Sequence, residues 1–295
     1  MITRTGLVCL LSPLTALAAP SDYAFVAQSN AMIEARSNAR PEVLDRLKHL
    51  ATEADPRLAA SAVRAIAHLS QSEADMLNAL ADVVADPGIS DVGLGQACDV
   101  LLYLANDGAR DVLRASAAER WKSGSHNPGL DALVEMGDAK VLDIVKTPPV
   151  NVRQDVTNAE AVEAWKKATR RWERMVVMQE SPALLIQALV DLDEEIDHGW
   201  LVYQANRLGV ERKKIRDAVT GVLKVSPGLE AKFRIGLIGA ALECGVLTED
   251  EREAMPEVDE FLKMRSLYVT EDRFPVWATR VEEMRRTFYR IPVPE

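Results

Sequence analysis

The densest group of residues that could do chemistry lies between Asp191 and His198, where acidic side chains alternate along the chain. Carboxylates at alternate positions are typical of the ligands in a calcium-binding loop. Such a loop also needs glycine at its sixth position and an acid at its twelfth. This segment has Ile196 and Val202 at those positions, so it does not predict an EF-hand.

The same segment contains Glu195-x-x-His198, the spacing of a ligand pair on one face of a helix in di-iron proteins. Such a site needs a second Glu-x-x-His, and the sequence has none. Two interpretations remain. Glu194, Glu195 and His198 form the centre of a helical metal protein or enzyme, or they belong to a solvated helix face. We predict the solvated face, with no metal ligand.

Other catalytic signatures are missing from the sequence. No His-x-x-x-His or His-x-His pair is present, which a zinc site usually shows. There is no Gly-x-Ser-x-Gly elbow and no glycine-rich phosphate loop. We therefore expect no enzymatic activity, no catalytic residue and no cofactor.

Two basic runs stand out from an acidic chain, and together they are the predicted partner-binding residues. If the two helices that carry them are neighbours, their charges could merge into one surface for an acidic partner. The alternative is a pair of basic faces neutralised by neighbouring glutamates. The predicted binding residues are Lys166, Lys167, Arg170, Arg171, Arg174, Arg212, Lys213 and Lys214.

The overall charge excludes one class of partner. The chain has 295 residues and a formal net charge of −10. Sequence-independent nucleic-acid binding needs an excess of Lys and Arg to displace counterions. We therefore expect a protein partner rather than a nucleic acid.

The first residues have the pattern of a secretion signal. One basic residue, Arg4, precedes the apolar run 6–11, and the segment ends in Ala16-Leu17-Ala18. This order of features predicts a signal peptide over residues 1–18, cleaved at about Ala18/Ala19. No later segment is long and apolar enough to span a membrane. The sequence thus predicts a periplasmic or secreted protein.

Two cysteines follow the predicted signal, Cys98 and Cys244. In an oxidising compartment they could form one disulfide, which would bring distant parts of the chain together. The alternative is that both are small buried hydrophobic residues. The sequence leaves both open.

Helix-start residues and helical apolar spacing recur along the whole sequence. Apolar residues recur at i, i+3, i+4 and i+7, and no alternating Val/Ile/Thr-rich segment predicts a strand. Asp55-Pro56 and Ser72 are typical helix starts, and Thr157-x-x-Glu160 has the pattern of a capping box. Ser181-Pro182 predicts the start of a helix that runs to about Ile196, and a continuation to Leu208 is left open. These features predict an all-α fold.

A two-helix pattern repeats near the start. The apolar spacing that begins at Leu58 recurs from Leu94, displaced by 36 residues, and a degenerate third copy covers 130–145. With the Asp55-Pro56 start and the Gly137-Asp138 turn, the region 41–147 resembles the short bacterial HEAT repeats. The resemblance implies an α-solenoid that binds other proteins.

A proline break at 147–151 separates two predicted regions. The first is a HEAT-like region over residues 19–147, and the second is a C-terminal helical region over residues 152–295. The predicted function is an exported interaction module: a scaffold, adaptor or inhibitor of an envelope or secreted protein. The alternatives are a structural, self-associating envelope protein and the helical metal protein considered above.

Overall fold

In the computed structural model every regular element is a helix, which confirms the predicted all-α fold for the residues that the structure describes. The predicted signal peptide lies outside them. The described residues are 20–53, 55–124, 127–150, 152, 158–193, 196–225, 231–250, 255–256, 258–259, 261–263 and 275–293. The α-helices are α1 (Pro20–Ala35), α2 (Arg40–Ala51), α3 (Pro56–Leu69), α4 (Glu73–Ala85), α5 (Asp91–Leu104), α6 (Asp107–Ser123), α7 (Pro128–Glu135), α8 (Val141–Val145), α9 (Ala159–Glu180), α10 (Pro182–Val190), α11 (His198–Arg207), α12 (Arg212–Val225), α13 (Ala231–Glu243) and α14 (Pro275–Tyr289).

The chain divides into two compact units, Met1–Ala97 and Cys98–Glu295, with the division inside α5. The HEAT-like solenoid and the domain boundary expected at residues 147–152 stay predictions. Within the described part of the chain, no helix has the length and the apolar composition needed to cross a membrane.

Two helices of unit 1, α3 and α4, begin at their predicted capping residues. Asp55 Oδ1 accepts hydrogen bonds from the backbone N–H groups of Arg57 and Leu58, at 3.0 and 3.2 Å, which starts α3. Ser72 Oγ accepts from the backbone N–H of Asp75 and starts α4. Since these bonds satisfy N–H groups that have no partner inside the helix, short polar residues mark the starts of α3 and α4.

The core of unit 1 lies where α2 packs against α3, with α1 and α4 packed on the same pair. Eight of the 14 residues of α3 are buried, and four of these eight are alanine. Small side chains let the helix axes approach closely. The buried positions of α3 are Leu58, Ala59, Ala62, Val63, Ala65, Ile66, Ala67 and Leu69.

In unit 2, α6 packs against α7 and α8, and α9 packs against α7 and α8. The turn between α7 and α8 contains the predicted Gly137-Asp138 pair. Gly137 adopts φ +72°, and the N–H of Asp138 closes the turn on the carbonyl of Leu133 at 2.9 Å. Asp138 is buried and accepts a hydrogen bond from Arg114 Nε at 2.6 Å. This turn is thereby fixed to α6.

Two helix boundaries in unit 2 differ from the sequence prediction. The N-cap of α9 is Asn158, whose Oδ1 accepts from the N–H of Ala161. The capping box was predicted to start one residue earlier, at Thr157, which lies outside the described residues. The helix that begins at Pro182 ends at Val190, well before Ile196. Its end is a left-handed turn with Leu192 at φ +54°.

A new helix follows this break because Asp197 Oδ1 accepts from the N–H of Trp200 at 2.7 Å and caps α11. The rest of unit 2 is built around α11, which packs on α10, α12, α13 and α14. Cys98 and Cys244 are both buried and both free. Burial raises the pKa of the Cys244 thiol to about 12, as expected for a packing residue rather than a reactive one.

Candidate binding surface and tryptophan pocket

The aromatic and the basic residues of α9 lie on different faces of the helix. Trp165 and Trp172 are half-buried on the side that packs against α7 and α8. Because an α-helix turns by about 100° per residue, Lys166, Lys167 and Arg170 project from the other side, and all three are exposed. One helix thus has an aromatic inner face and a cationic outer face.

Two of the α9 arginines belong to ion pairs on this outer face. Arg170 contacts Glu163 at 2.9 Å, and this hydrogen bond lowers the pKa of Glu163. Arg174 is paired with Asp193, which lies just after α10. Arg171 is only partly exposed, and its Nε atom is buried. The exposed lysines, together with Arg170, are therefore the part of α9 best placed to contact a partner.

The second predicted run forms the first turn of α12. Arg212, Lys213 and Lys214 are all exposed there, and Lys214 contacts Glu211 at 3.7 Å. The positive end of the helix macrodipole lies at this turn and disfavours cations. Three cations at this position do not stabilise α12.

The two basic helices are linked through a third. α10 packs against both α9 and α12. It also contains exposed apolar side chains, Leu184 and Val190, and α9 adds Val177. We call the cations of α9 and α12 together with these three apolar residues the basic face. The structure links the two predicted runs by way of α10.

A pocket of about 340 Å³ opens on the inner side of α9. Trp121 of α6 and Trp172 of α9 form two of its walls, with ring centroids 5.5 Å apart and ring planes at 79°. We call this site the tryptophan pocket. Its lining residues are Trp121, Gly124, Asn127, Asp131, Pro149, Val152, Ala161, Ala164, Trp165, Ala168 and Trp172.

Each indole N–H in the tryptophan pocket already has an acceptor in the protein. Trp121 Nε1 donates to the carbonyl of Thr147 at 2.6 Å, and Trp165 Nε1 donates to that of Val145 at 3.0 Å. Trp172 Nε1 lies 3.4 Å from Asp131 Oδ1. These bonds fix the rings, so the polar edges of the indoles are engaged and the apolar parts remain for a ligand.

Sequence reasoning missed this pocket. The sequence places Trp165 and Trp172 beside the basic residues of α9, and their separation of seven residues puts both on one helix face. Trp121 could not be linked to them, because it is far away in sequence and reaches α9 only through the packing of α6, α7 and α8.

Of the three residues in the alternative metal site, the structure describes only His198. Glu194 and Glu195 lie outside the described residues. His198 is buried at the start of α11, so the prediction of a solvated helix face was wrong for this residue. Burial lowers the pKa of His198. In the part of the chain that the structure describes, no three His, Cys, Asp or Glu side chains form a group that could hold a metal ion.

A second polar cluster in unit 2 joins α14 to the other helices. Tyr289 donates its hydroxyl hydrogen to Glu135 Oε2, and Arg285 is paired with Glu243. Burial raises the pKa of Glu135 to about 7, although the hydrogen bond from Tyr289 acts in the opposite direction. Its contacts connect helices to one another, so we assign it a structural role.

Comparisons of the chain with protein-family models, with curated proteins and with solved structures find no match. The resemblance to HEAT repeats therefore stays a prediction from residues 41–147. The basic face and the tryptophan pocket have to be interpreted from their own geometry and chemistry.

Proposed function

We propose that this chain is a protein-binding module without catalytic activity, and that its partner contacts the basic face of unit 2. The observation that carries the proposal is the exposed cationic first turn of α12, at Arg212, Lys213 and Lys214. Charge at a helix start that opposes the macrodipole costs about 0.3–1 kcal/mol per residue at low salt. A binding role gives these cations a reason to be there.

The neighbouring helices support the same interpretation. Lys166, Lys167 and Arg170 add positive charge on α9, while Leu184 and Val190 leave apolar surface exposed on α10. Exposed apolar side chains on a helix that packs against both cationic helices resemble the mixture found at protein interfaces, where an apolar centre has a polar rim. The proposed partner has an acidic surface around a small apolar patch.

The proposal includes export. The basic start, apolar run and Ala16-Leu17-Ala18 end support removal of residues 1–18 and a periplasmic or secreted location. In that compartment the partner would be an envelope or secreted protein, and the chain would act as a scaffold, adaptor or inhibitor.

Affinity capture from envelope extract tests the proposal. Residues 19–295 are compared with the charge-reversal variant Lys166→Glu/Lys167→Glu and with the variant Lys213→Glu/Lys214→Glu. All four lysines are exposed, so the fold should tolerate these changes. We expect one dominant partner with the unmodified protein and its loss in both variants.

The matched control is Lys122→Glu/Lys140→Glu, which makes the same charge change at exposed positions of unit 2 outside the basic face. It should retain the partner. Equal loss in the control would show that net charge, rather than this surface, governs capture. A failure to capture any partner with the unmodified protein would contradict the proposed function.

A further inference from the structure

We propose that the partner contacts the basic face with an α-helix of its own, which presents acidic residues in one turn and apolar residues two to three turns away on the same side. The inference rests on the proposed binding function and specifies the chemistry of the partner's contact segment. Its basis is the order of charged and apolar side chains along α9 and α10.

The exposed side of α9 changes from cationic to apolar along the helix. Lys166 and Arg170 lie one turn apart, and Val177 follows Arg170 after seven positions, so the three side chains share one side of the helix. All three residues are exposed, and Val177 is 50% exposed although it is apolar. At a rise of about 1.5 Å per residue, the apolar end of this side lies about 16 Å from the cationic end.

The end of α10 lies beside the apolar end of α9. Arg174, one turn before Val177, is paired with Asp193, which follows shortly after the last residue of α10. Because α10 also begins directly after α9, it runs back along α9, and Val190 is close to the level of Arg174. Val190 and Leu184 are both exposed, so α10 adds exposed apolar surface at the same end.

A helix is the partner structure whose repeat matches this surface. Its side chains return to one side at the same three- and four-residue intervals as those of α9, so successive turns of the two helices can pack against each other. A partner strand would need a sheet edge to extend, and the described part of the chain contains no strand. An amphipathic helix that lies in a groove between helices is the recognition mode that remains.

The glutamates on the same side of α9 favour a protein over an anionic membrane. Glu163, Glu173 and Glu180 are all exposed there. A membrane surface is negatively charged throughout, so it repels these carboxylates wherever it attracts the lysines. A partner helix can instead place acidic residues opposite Lys166 and Arg170, and neutral or basic residues opposite the glutamates.

The test uses the same chain as the capture experiment and three synthetic peptides of equal length and charge. The first forms a helix with glutamates in one turn and leucines about two and three turns later on the same side, as the spacing along α9 requires. The second carries its leucines on the opposite side, and the third contains a central proline that breaks the helix.

Binding is followed by the fluorescence anisotropy of the labelled peptides. We expect the first peptide to bind saturably and the other two to bind at least about fivefold more weakly, because the second loses the apolar contact and the third loses the helix. Equal binding of the first and second peptides, or of the first and third, would overturn the proposal.

The variant Val177→Gln tests the apolar end of this surface. It should weaken binding of the first peptide by at least about threefold and leave the second unchanged. The matched control is Val293→Gln, the same change at an exposed valine of unit 2 outside the basic face, and it should change neither. Unchanged binding of the first peptide in Val177→Gln would overturn the proposal. Binding to phosphatidylglycerol vesicles that is lost in Lys166→Glu/Lys167→Glu would overturn it as well, because a membrane would then occupy this surface.

Capture from envelope extract separates this inference from the proposed function. If the unmodified protein captures one partner that the first peptide does not displace, the helix inference is overturned and the binding function is supported. If the first peptide displaces the partner and the second does not, both are supported. If no partner is captured, the proposed function is contradicted, whereas the peptides still decide whether this surface accepts a helix.

Discussion

Glu135 is a described residue of unit 2 whose protonation affects the stability of the fold. Its pKa is raised by burial from 4.5 to about 7. Between these two pH values the unfolded chain has already lost the proton that the folded chain retains. The free energy of unfolding therefore decreases as pH rises through this window, by up to about 1–3 kcal/mol, and the stabilisation is fully present only below the lower value.

We predict that, in Glu135→Gln, the free energy of unfolding decreases less between about pH 4.5 and about pH 7 than in the unmodified protein. Glutamine keeps a carbonyl oxygen for the Tyr289 hydroxyl but does not titrate. The measurement is urea unfolding at several pH values. Burial lowers the pKa of His198, so the contribution of this residue to the free energy of unfolding increases as pH rises. This contribution is the same in the unmodified protein and in Glu135→Gln, so it cancels when the two are compared.

The control for this prediction is Glu163→Gln. Glu163 is exposed, and its hydrogen bond from Arg170 lowers its pKa, so it titrates below the window. This variant should keep the pH dependence of the unmodified protein. An unchanged dependence in Glu135→Gln would show that another group controls stability there.

At the scale of elements, the contact between α11 and α13 depends on a glycine. A Cβ atom on Gly199 would lie 2.9 Å from the carbonyl oxygen of Gly236, which is backbone and cannot rotate away. We predict that Gly199→Ala separates the helices and lowers the free energy of unfolding by about 1–3 kcal/mol. Chemical denaturation measures the change.

Gly221→Ala is the matched substitution within the neighbouring helix α12. A Cβ atom there would meet nothing within 4 Å, and the residue is exposed. Alanine loses less conformational entropy than glycine in a helix, so this variant should be stabilised by about 0.5–1 kcal/mol. If both substitutions stabilised the protein, the close approach of α11 and α13 would be refuted.

At the scale of the whole molecule, the chain terminus joins distant parts of unit 2. Tyr289 of α14 is buried, donates to Glu135 of α7, and stacks near Tyr203 of α11 with ring centroids 5.0 Å apart. Its carbonyl accepts from Asn206 Nδ2 at 2.7 Å. Tyr289 therefore connects α14 with α7, although Glu135 and Tyr289 are separated by 154 positions in the sequence.

We predict that Tyr289→Ala lowers the stability of unit 2 by about 3–5 kcal/mol, as expected for an emptied aromatic site. Amide hydrogen exchange should then increase in α7 and α11 as well as in α14. Tyr289→Phe keeps the ring and loses only the hydroxyl, so it should cost about 1–2 kcal/mol. Exchange that increases only within α14 would show that the terminus does not hold the unit together.

The sequence alone determined the helical class and many helix boundaries. Asp55, Ser72 and the Gly137-Asp138 turn were recognisable because caps and left-handed turns depend on a few neighbouring residues, and their structures agree with the prediction. Most residues of the two basic runs are exposed, but Arg171 is only partly so. The end of α10 at Val190 was not recognised, because Leu192 adopts a left-handed conformation that its residue type does not favour.

Only the tertiary structure decided which of these local features meet. The tryptophan pocket combines side chains from α6, α7 and α9, and the Glu135–Tyr289 pair joins two distant segments. Such encounters depend on how helices pack, and helix packing allows several geometries for the same apolar pattern. The amphipathic spacing of this chain specifies that its helices bury one face, whereas the partner of each face is fixed only when side chains interdigitate in the folded core.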